Sequence, residues 1–265
     1  MELYEGDMMG KFSGYLICTD YDGTFATKGE PVEKNLDAVR YFTENGGYFT
    51  IASGRTPEFL AQKGVHKLLN APAVLCNGSL IYDFGTEKIL HKSFLPFGVA
   101  SFLDAVMTMA PMITGVNLFY DGDGSGALYT DLALLREEHG DTAALKLLCR
   151  FETEELANAF RRFAEALPLL KDCCISKSWS LGVEINPGDA TKGHGLNFIK
   201  SWLGDVHTTV GVGNYDNDIS LLKLADIGAA PEGSLNTVLH CADMVLAPCD
   251  GGSIRDLIEK LETKV

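Results

Sequence analysis

The sequence has no stretch approaching the roughly 20 apolar residues that a membrane-spanning helix needs. Its first residues include Glu2, Glu5 and Asp7 and show neither the basic start nor the apolar run of a secretory leader. A soluble, cytoplasmic protein is expected. Basic residues are few: 22 Lys and Arg against 36 Asp and Glu give a formal charge of −14. No Lys/Arg block offsets that charge, which excludes a broad nucleic-acid surface because the phosphate backbone would be repelled. The seven cysteines contain no Cys-x-x-Cys, and their one close pair is the adjacent Cys173 and Cys174. They are expected to be reduced and mostly buried, with no zinc chelate or redox pair. There is no His-x-x-x-His pair for a zinc hydrolase and no Gly-Lys-Ser/Thr of a P-loop. Gly211-x-Gly213 begins like a dinucleotide fingerprint, but position 216 is Asp where the third glycine belongs. Asp121 to Gly126 imitates the start of a calcium loop, yet the twelfth position is Leu132 where a bidentate Glu is required, so a turn is expected.

What is present suffices for a large core. A chain of 265 residues, 46% hydrophobic and 22% charged, suits one substantial domain with room for a smaller second one. Tyr15 to Thr19 is a short apolar run with β-branched and aromatic character that ends in an acidic, glycine-containing turn. It is expected as a buried strand feeding a loop. A helix over residues 31–45 follows, with Val32, Leu36, Val39 and Phe42 at helical spacing, proline at its start and Gly46-Gly47 at its end. Tyr48 to Ala52 and Ala73 to Cys76 repeat the strand pattern, with a helix over Pro57 to Lys63 between them. Such alternation predicts a parallel sheet with right-handed crossovers.

Near Asp83 the pattern changes. Leu80 to Tyr82 and Lys88 to Lys92 flank a glycine-containing turn, which predicts a hairpin at which a second domain begins. Up to Asn186 the spacing predicts a helix with Phe102, Leu103, Val106 and Met107 inward and an alternating strand with Val116, Leu118 and Tyr120. A strand around Leu145 to Cys149, a helix with Leu156, Phe160, Phe163 and Leu167, and a strand with Leu181, Val183 and Ile185 follow. After Pro187, helices over Lys192 to Leu203, Asp218 to Leu224, Ser234 to Cys241 and Ser253 to Leu261 alternate with strands over Thr208 to Val212, Ile227 to Ala229 and Met244 to Leu246. The expected architecture is α/β: a Rossmann-like parallel-sheet core, residues 1–82 and 187–265, interrupted by a smaller α+β cap, residues 83–186. Met107, Met109, Trp179 and Trp202 are read as packing residues.

Asp20-Tyr21-Asp22-Gly23-Thr24 stands directly after a buried strand, where ligands bind in open α/β sheets. Two carboxylates two residues apart in a turn can converge on one hard cation, and Gly23 lets the backbone come close. Asp20 would then serve as a nucleophile and Asp22 would exchange protons. Read alone, the segment fits an Asx-turn with two solvated aspartates equally well. Ser53-Gly54-Arg55, between a strand and a helix, places a hydroxyl and backbone N–H groups for an anion. Lys192 opens a helix after Thr191 and brings a point charge. Gly213 to Asp218 lies beyond the strand TTVGV and would meet Asp20 across the same sheet edge.

In this order the segments DYDGT (20–24), IASGR (51–55), CNGSLIYD (76–83), TKG (191–193) and GNYDND (213–218) resemble the motifs of the haloacid dehalogenase-like superfamily, in its Cof-type sugar-phosphatase branch. The match covers nearly the whole chain, and the insert resembles that branch's large α/β cap, which in relatives selects the substrate. The resemblance implies a Mg²⁺-dependent phosphatase acting on a small phosphorylated metabolite. Asp20 would form an aspartyl-phosphate and bind Mg²⁺; Asp22 would be the acid/base and offer its backbone carbonyl to the ion. Ser53, Gly54 and Asn217 would hold phosphoryl oxygens, Lys192 would neutralise the nucleophile and the transferring group, and Asp218 would orient the ion's waters or Lys192.

One position departs from the pattern. The last motif of the family begins Gly-Asp, with that Asp on the metal, whereas here it is Gly213-Asn214. The Asn214 side-chain oxygen can still ligate a hard cation with one charge fewer, or Asp216 can compensate. Asn214 also keeps a second class open, a weakly active or non-catalytic relative that binds a phosphorylated ligand.

Overall fold

The computed structural model describes residues 10–120 and 126–263. Tyr15–Thr19 forms the fourth strand of a five-stranded parallel sheet in the order Met244–Leu246, Ile227–Pro231, Thr208–Val212, Tyr15–Thr19, Tyr48–Ile51. Alternation along Tyr15–Thr19 sends Ile17 into one apolar cluster and Leu16 and Cys18 into another, so the strand is buried on both faces. Helices Glu33–Glu44 and Cys249–Glu262 pack together on the Ile17 side. Helices Lys192–Leu203 and Ile219–Leu224 cover the other. Fully buried aromatics such as Phe42 and Phe49 fill the first cluster, each contributing roughly 1.5–3 kcal/mol from area removed from water.

The boundaries carry physical reasons. Regular helix near the C-terminus was expected from Ser253; the helix starts at Cys249 but breaks at Gly252, whose φ is +96°. Beyond the break, Asn35 accepts the N–H groups of Ile254 and Arg255, which explains a buried asparagine in an otherwise apolar helix face. The helix expected over Ser234 to Cys241 shortens to Asn236–Leu239.

The hairpin of Leu80–Asp83 and Lys88–Lys92 pairs antiparallel beside Ala73–Leu75. Leu80, Ile81, Tyr82 and Leu90 pack into the clusters of the parallel sheet, and the insert's own cluster begins at Leu95. The hairpin at Asp83 therefore shares its apolar side with the core. The insert proper holds a five-stranded antiparallel sheet in the order Cys173–Ser176, Gly182–Pro187, Lys146–Arg150, Gly115–Phe119, Gly126–Tyr129. One face of it, with Val116, Leu118, Leu147, Cys149, Val183 and Ile185, packs on helices Val99–Ala105 and Glu154–Glu165.

The structure adds to or corrects the expected picture in several places. Strands Gly126–Tyr129 and Cys173–Ser176 and helix Leu132–His139 were not anticipated, because none has a long periodic apolar pattern. Met107 is 68% exposed just beyond the end of its helix and Trp202 is half exposed, whereas Met109 packs into the insert's cluster and the partly exposed Trp179 lies against Gly182. Of the seven cysteines, all free, Cys18, Cys76 and Cys149 are buried and four are half-buried. The turn expected from Asp121 to Ser125 lies outside the described residues.

Candidate active site

Asp20 follows Tyr15–Thr19 where the strand order reverses, with Tyr48–Ile51 on one side and Thr208–Val212 on the other. Its N–H is bonded to the Val212 carbonyl at 2.8 Å. Lys192 Nζ donates to Asp20 Oδ1 at 2.6 Å and to Asp218 Oδ1 at 2.5 Å. Lys192 is delivered there because Thr191 caps the Lys192–Leu203 helix by accepting the His194 N–H, which makes the lysine its first residue. Lys192 and Asp218 are buried and Asp20 is only 6% exposed. Burial pushes the Asp20 carboxyl up, to about 7; the Lys192 charge opposes this and Asp218 adds to it. Burial also acts against the Lys192 ammonium, but Asp20 and Asp218 outweigh it and hold the group above its ordinary range. Burial pushes the nearby Cys18 thiol up to about 12, which removes it as a competing nucleophile.

Asp218 also shapes the neighbouring turn. Its Oδ2 accepts the N–H groups of Asn214 and Tyr215, both at 2.9 Å. The turn brings Asn214 against Gly23, where a Cβ would lie 2.4 Å from Asn214 Nδ2 and the backbone φ is +82°. Glycine is required at 23 for both reasons. Asn214 Oδ1 is buried and has no hydrogen-bond partner among the described residues. An amide oxygen left so costs about 1–3 kcal/mol, and it is the donor type a hard cation takes. No three His, Cys, Asp or Glu side chains gather as a metal site among the described residues. The Asp20 carboxylate and the unpartnered Asn214 Oδ1 border one cavity and are oxygen donors of the kind Mg²⁺ takes.

Asp216 is bonded to the insert. Its carboxylate accepts from Arg161 at 2.8 Å and from the Lys177 N–H at 3.2 Å, both in the insert. Asp22 is likewise engaged, accepting from Arg55 Nε and Nη2 at 2.9 and 3.1 Å, while that guanidinium lies 4.4 Å from the Phe59 ring centroid. Ser53 Oγ accepts the Arg55 N–H and closes the turn that leads into helix Pro57–Gln62. Asn217 Nδ2 donates to Asn77 Oδ1 at 3.2 Å. Asp20, Asp22, Ser53, Gly54, Asn214 and Asn217 line one cavity of about 640 Å³. Lys192 and Asp218 stand behind Asp20 and are not part of its wall.

The far wall comes from the insert: Asn117, Phe119, Lys146, Leu148, Arg150 and Trp179. Sequence reasoning gave these no part in a site and read Trp179 as a packing residue. Lys146 and Glu184 form a buried ion pair at 3.0 Å; Lys146 also donates to the Gly54 carbonyl, and Glu184 accepts from Asn77 at 2.9 Å. Asn77 sits at φ +62° beside Cys76 at +50°, a left-handed pair whose cost of about 1–3 kcal/mol per residue is characteristic of functional turns. The available signal was charge at alternating positions of apolar strands, Lys146 and Arg150 in KLLCR and Glu184 in GVEIN.

Residues 17–121 and 128–258 match the family model of the haloacid dehalogenase-like hydrolases. The pyridoxal phosphate phosphatase YbhA of Escherichia coli K12 is 24% identical, covering 92% of this chain and 97% of its own. The 5-amino-6-(5-phospho-D-ribitylamino)uracil phosphatase YcsE of Bacillus subtilis 168 is 23% identical over 87% of this chain and 88% of its own. The solved structure of BT4131, a subclass IIB sugar phosphatase, superposes with a TM-score of 0.77 at 19% identity, covering 93% of this chain and 98% of its own. SMU.1108c from Streptococcus mutans UA159 gives 0.77 at 20% identity over 94% and 98%. The structural likenesses carry the fold, and the family match runs through every strand end that lines the cavity. The chain thus belongs to the haloacid dehalogenase-like hydrolases.

Proposed function

We propose that this protein hydrolyses the phosphate monoester of a small metabolite, with Asp20 as nucleophile and Mg²⁺ as cofactor. The observation that carries the reading is the Asp20 carboxylate at the sheet's switch point, gripped from behind by Lys192 and facing a cavity of metabolite size. Relatives named as phosphatases support it. Mg²⁺, when bound by Asp20, Asn214 and the Asp22 carbonyl, would supply charge neutralisation for the phosphoryl oxygens.

The chain's own residues account for the remaining steps. An Asp20 oxygen attacks phosphorus as the bond to the substrate's ester oxygen breaks, and the leaving oxygen takes its proton from Asp22. Asp22 then removes a proton from a water that attacks the aspartyl-phosphate, freeing Asp20 and inorganic phosphate. Asp22 has to leave the Arg55 fork to do this, and an incoming phosphoryl group competes for the same guanidinium. Ser53 and Gly54 border the phosphoryl position, and Asn217 has a second amide hydrogen for it beyond the one given to Asn77. We assign residues from about Leu95 to Asn186 as a substrate-selecting cap over this core.

Turnover of p-nitrophenyl phosphate with and without Mg²⁺ is the test. Phosphate release that depends on Mg²⁺ and disappears in Asp20→Asn supports the reading. A protein that binds phosphate esters without turnover would instead be the binding-only relative.

A further inference from the structure

In the insert's sheet, Lys146 lies opposite Phe119, and Leu148 lies opposite Asn117 on one side and Glu184 on the other. Alternation therefore sets Lys146, Leu148 and Arg150 on the face that lines the cavity, with Leu147 and Cys149 turned into the insert's core. The strand spans the cavity. Lys146 holds the Gly54 turn at one end, and Arg150 stands four residues further, about 13 Å along the strand at ~3.3 Å per residue.

The other cations of this cavity have carboxylate partners: Arg55 has Asp22 and Lys146 has Glu184. Arg150 has none among the described residues, in a chain where acidic residues outnumber basic ones 36 to 22. Its Nε donates to the neutral Asn117 Oδ1 at 2.7 Å, and its guanidinium lies 5.8 Å from the Trp179 ring centroid. Among the described residues the two terminal nitrogens have no hydrogen-bond partner. Trp179 reaches this place because position 182 is glycine, where a Cβ would come within 2.1 Å of its Nε1. A half-buried planar fork, oriented by a neutral amide and walled by an aromatic ring, is built to take an anion in bidentate fashion.

We propose that Arg150, held by Asn117 beside Trp179, binds a second anionic group of the substrate. The preferred phosphate monoesters then carry a carboxylate or another phosphate at the end remote from the phosphoryl group that Asp20 receives. This rests on the phosphatase reading. Leu148 and Phe119, between the two ends, border the carbon skeleton.

The test uses substrate pairs that differ in one anion: 6-phosphogluconate with glucose 6-phosphate, and fructose 1,6-bisphosphate with fructose 6-phosphate. For the wild type and Arg150→Gln, kcat/KM is measured on all four, and calorimetry measures binding of the same compounds in an Asp20→Asn background. The wild type should favour the anion-bearing member of at least one pair roughly 10- to 100-fold. Arg150→Gln should abolish that preference, mainly through KM, and change the other members less than about threefold. Preference in the gluconate pair alone identifies a carboxylate, and in the bisphosphate pair alone a phosphate. Equal use of both members of each pair by the wild type overturns the proposal, as does an Arg150→Gln loss common to both members. If neither these esters nor p-nitrophenyl phosphate is turned over, the phosphatase reading fails, and calorimetry still decides for Arg150: equal affinity within each pair overturns its role.

Discussion

Lys146 donates a 2.8 Å hydrogen bond to the Gly54 carbonyl, so a strand of the insert holds a turn of the parallel-sheet core. A Cβ at residue 54 would lie 3.0 Å from Asn77 Oδ1, 3.2 Å from Lys146 Nζ and 3.3 Å from Glu184 Oε1, and glycine there admits this approach. The contact is buried and charged on the insert side, since Lys146 and Glu184 are 1% and 2% exposed.

Glu184→Gln should destabilise the protein at neutral pH by about 3 kcal/mol, because it leaves the Lys146 ammonium buried without its counter-charge. Burial works to raise the Glu184 carboxyl, but the Lys146 charge and the hydrogen bonds from Lys146 and Asn77 outweigh it, and the net shift is downward. The folded state therefore binds fewer protons than the unfolded chain just below the ordinary carboxylate value of 4.5, and stability rises with pH there. Thermal melts from pH 8 down to pH 4 should show a constant gap between wild type and variant that narrows only below about 4.5. A gap that widens on acidification would contradict this.

Arg161→Ala should loosen the insert from the core while leaving the fold intact. Arg161 reaches Asp216 at 2.8 Å from a helix of the insert, and the pair is partly exposed, so its loss should cost no more than ~1 kcal/mol of stability. Closure of a lid over a site shifts with contacts of this strength. Small-angle scattering of wild type and variant, with and without a phosphate analogue, measures it. Identical profiles in all four samples would argue against a moving cap.

Asp20→Asn should remain folded and lose at least about 1000-fold in turnover, since an amide cannot serve as the nucleophile. Circular dichroism checks the fold and phosphate release the activity. Beryllium fluoride should bind at Asp20 in the wild type and not in the variant; a crystal structure with the fluoride elsewhere would displace Asp20 from its assigned role.

Asn214→Asp should tighten Mg²⁺ binding by about one order of magnitude, or ~1.4 kcal/mol. The gain from a new negative charge on the ion is reduced by repulsion from Asp20 and Asp22, which line the same cavity. The half-saturating Mg²⁺ concentration for activity reads this directly. No change would mean that the orphaned Asn214 oxygen is satisfied by something other than the metal.

Local pattern alone determined a good deal of this protein. Apolar runs such as Tyr15 to Thr19 and Thr208 to Val212, each followed by glycine and acidic residues, mark strands whose ends carry chemistry, because a strand buried on both faces reads as an uninterrupted apolar run. Thr191 before Lys192 marks a helix start, because capping is satisfied within a few residues. These signals pointed to the strand and helix ends that carry Asp20, Ser53, Lys192 and the segment from Gly213 to Asp218.

Only the tertiary structure decided how those residues divide their work. Lys192 sits behind Asp20, Asp216 is bound to Arg161, and Asp22 is held by Arg55, all partnerships between residues far apart in the chain. Spacing carries no record of such contacts, because they depend on how loops of several strands converge. The insert was least legible, since its strands are short and its cavity face bears polar residues that break the apolar alternation. Lys146, Glu184 and Arg150 look like surface charges in the sequence; burial against the Gly54 turn and placement around the cavity set them apart, because a charge removed from water must find either a partner or a ligand.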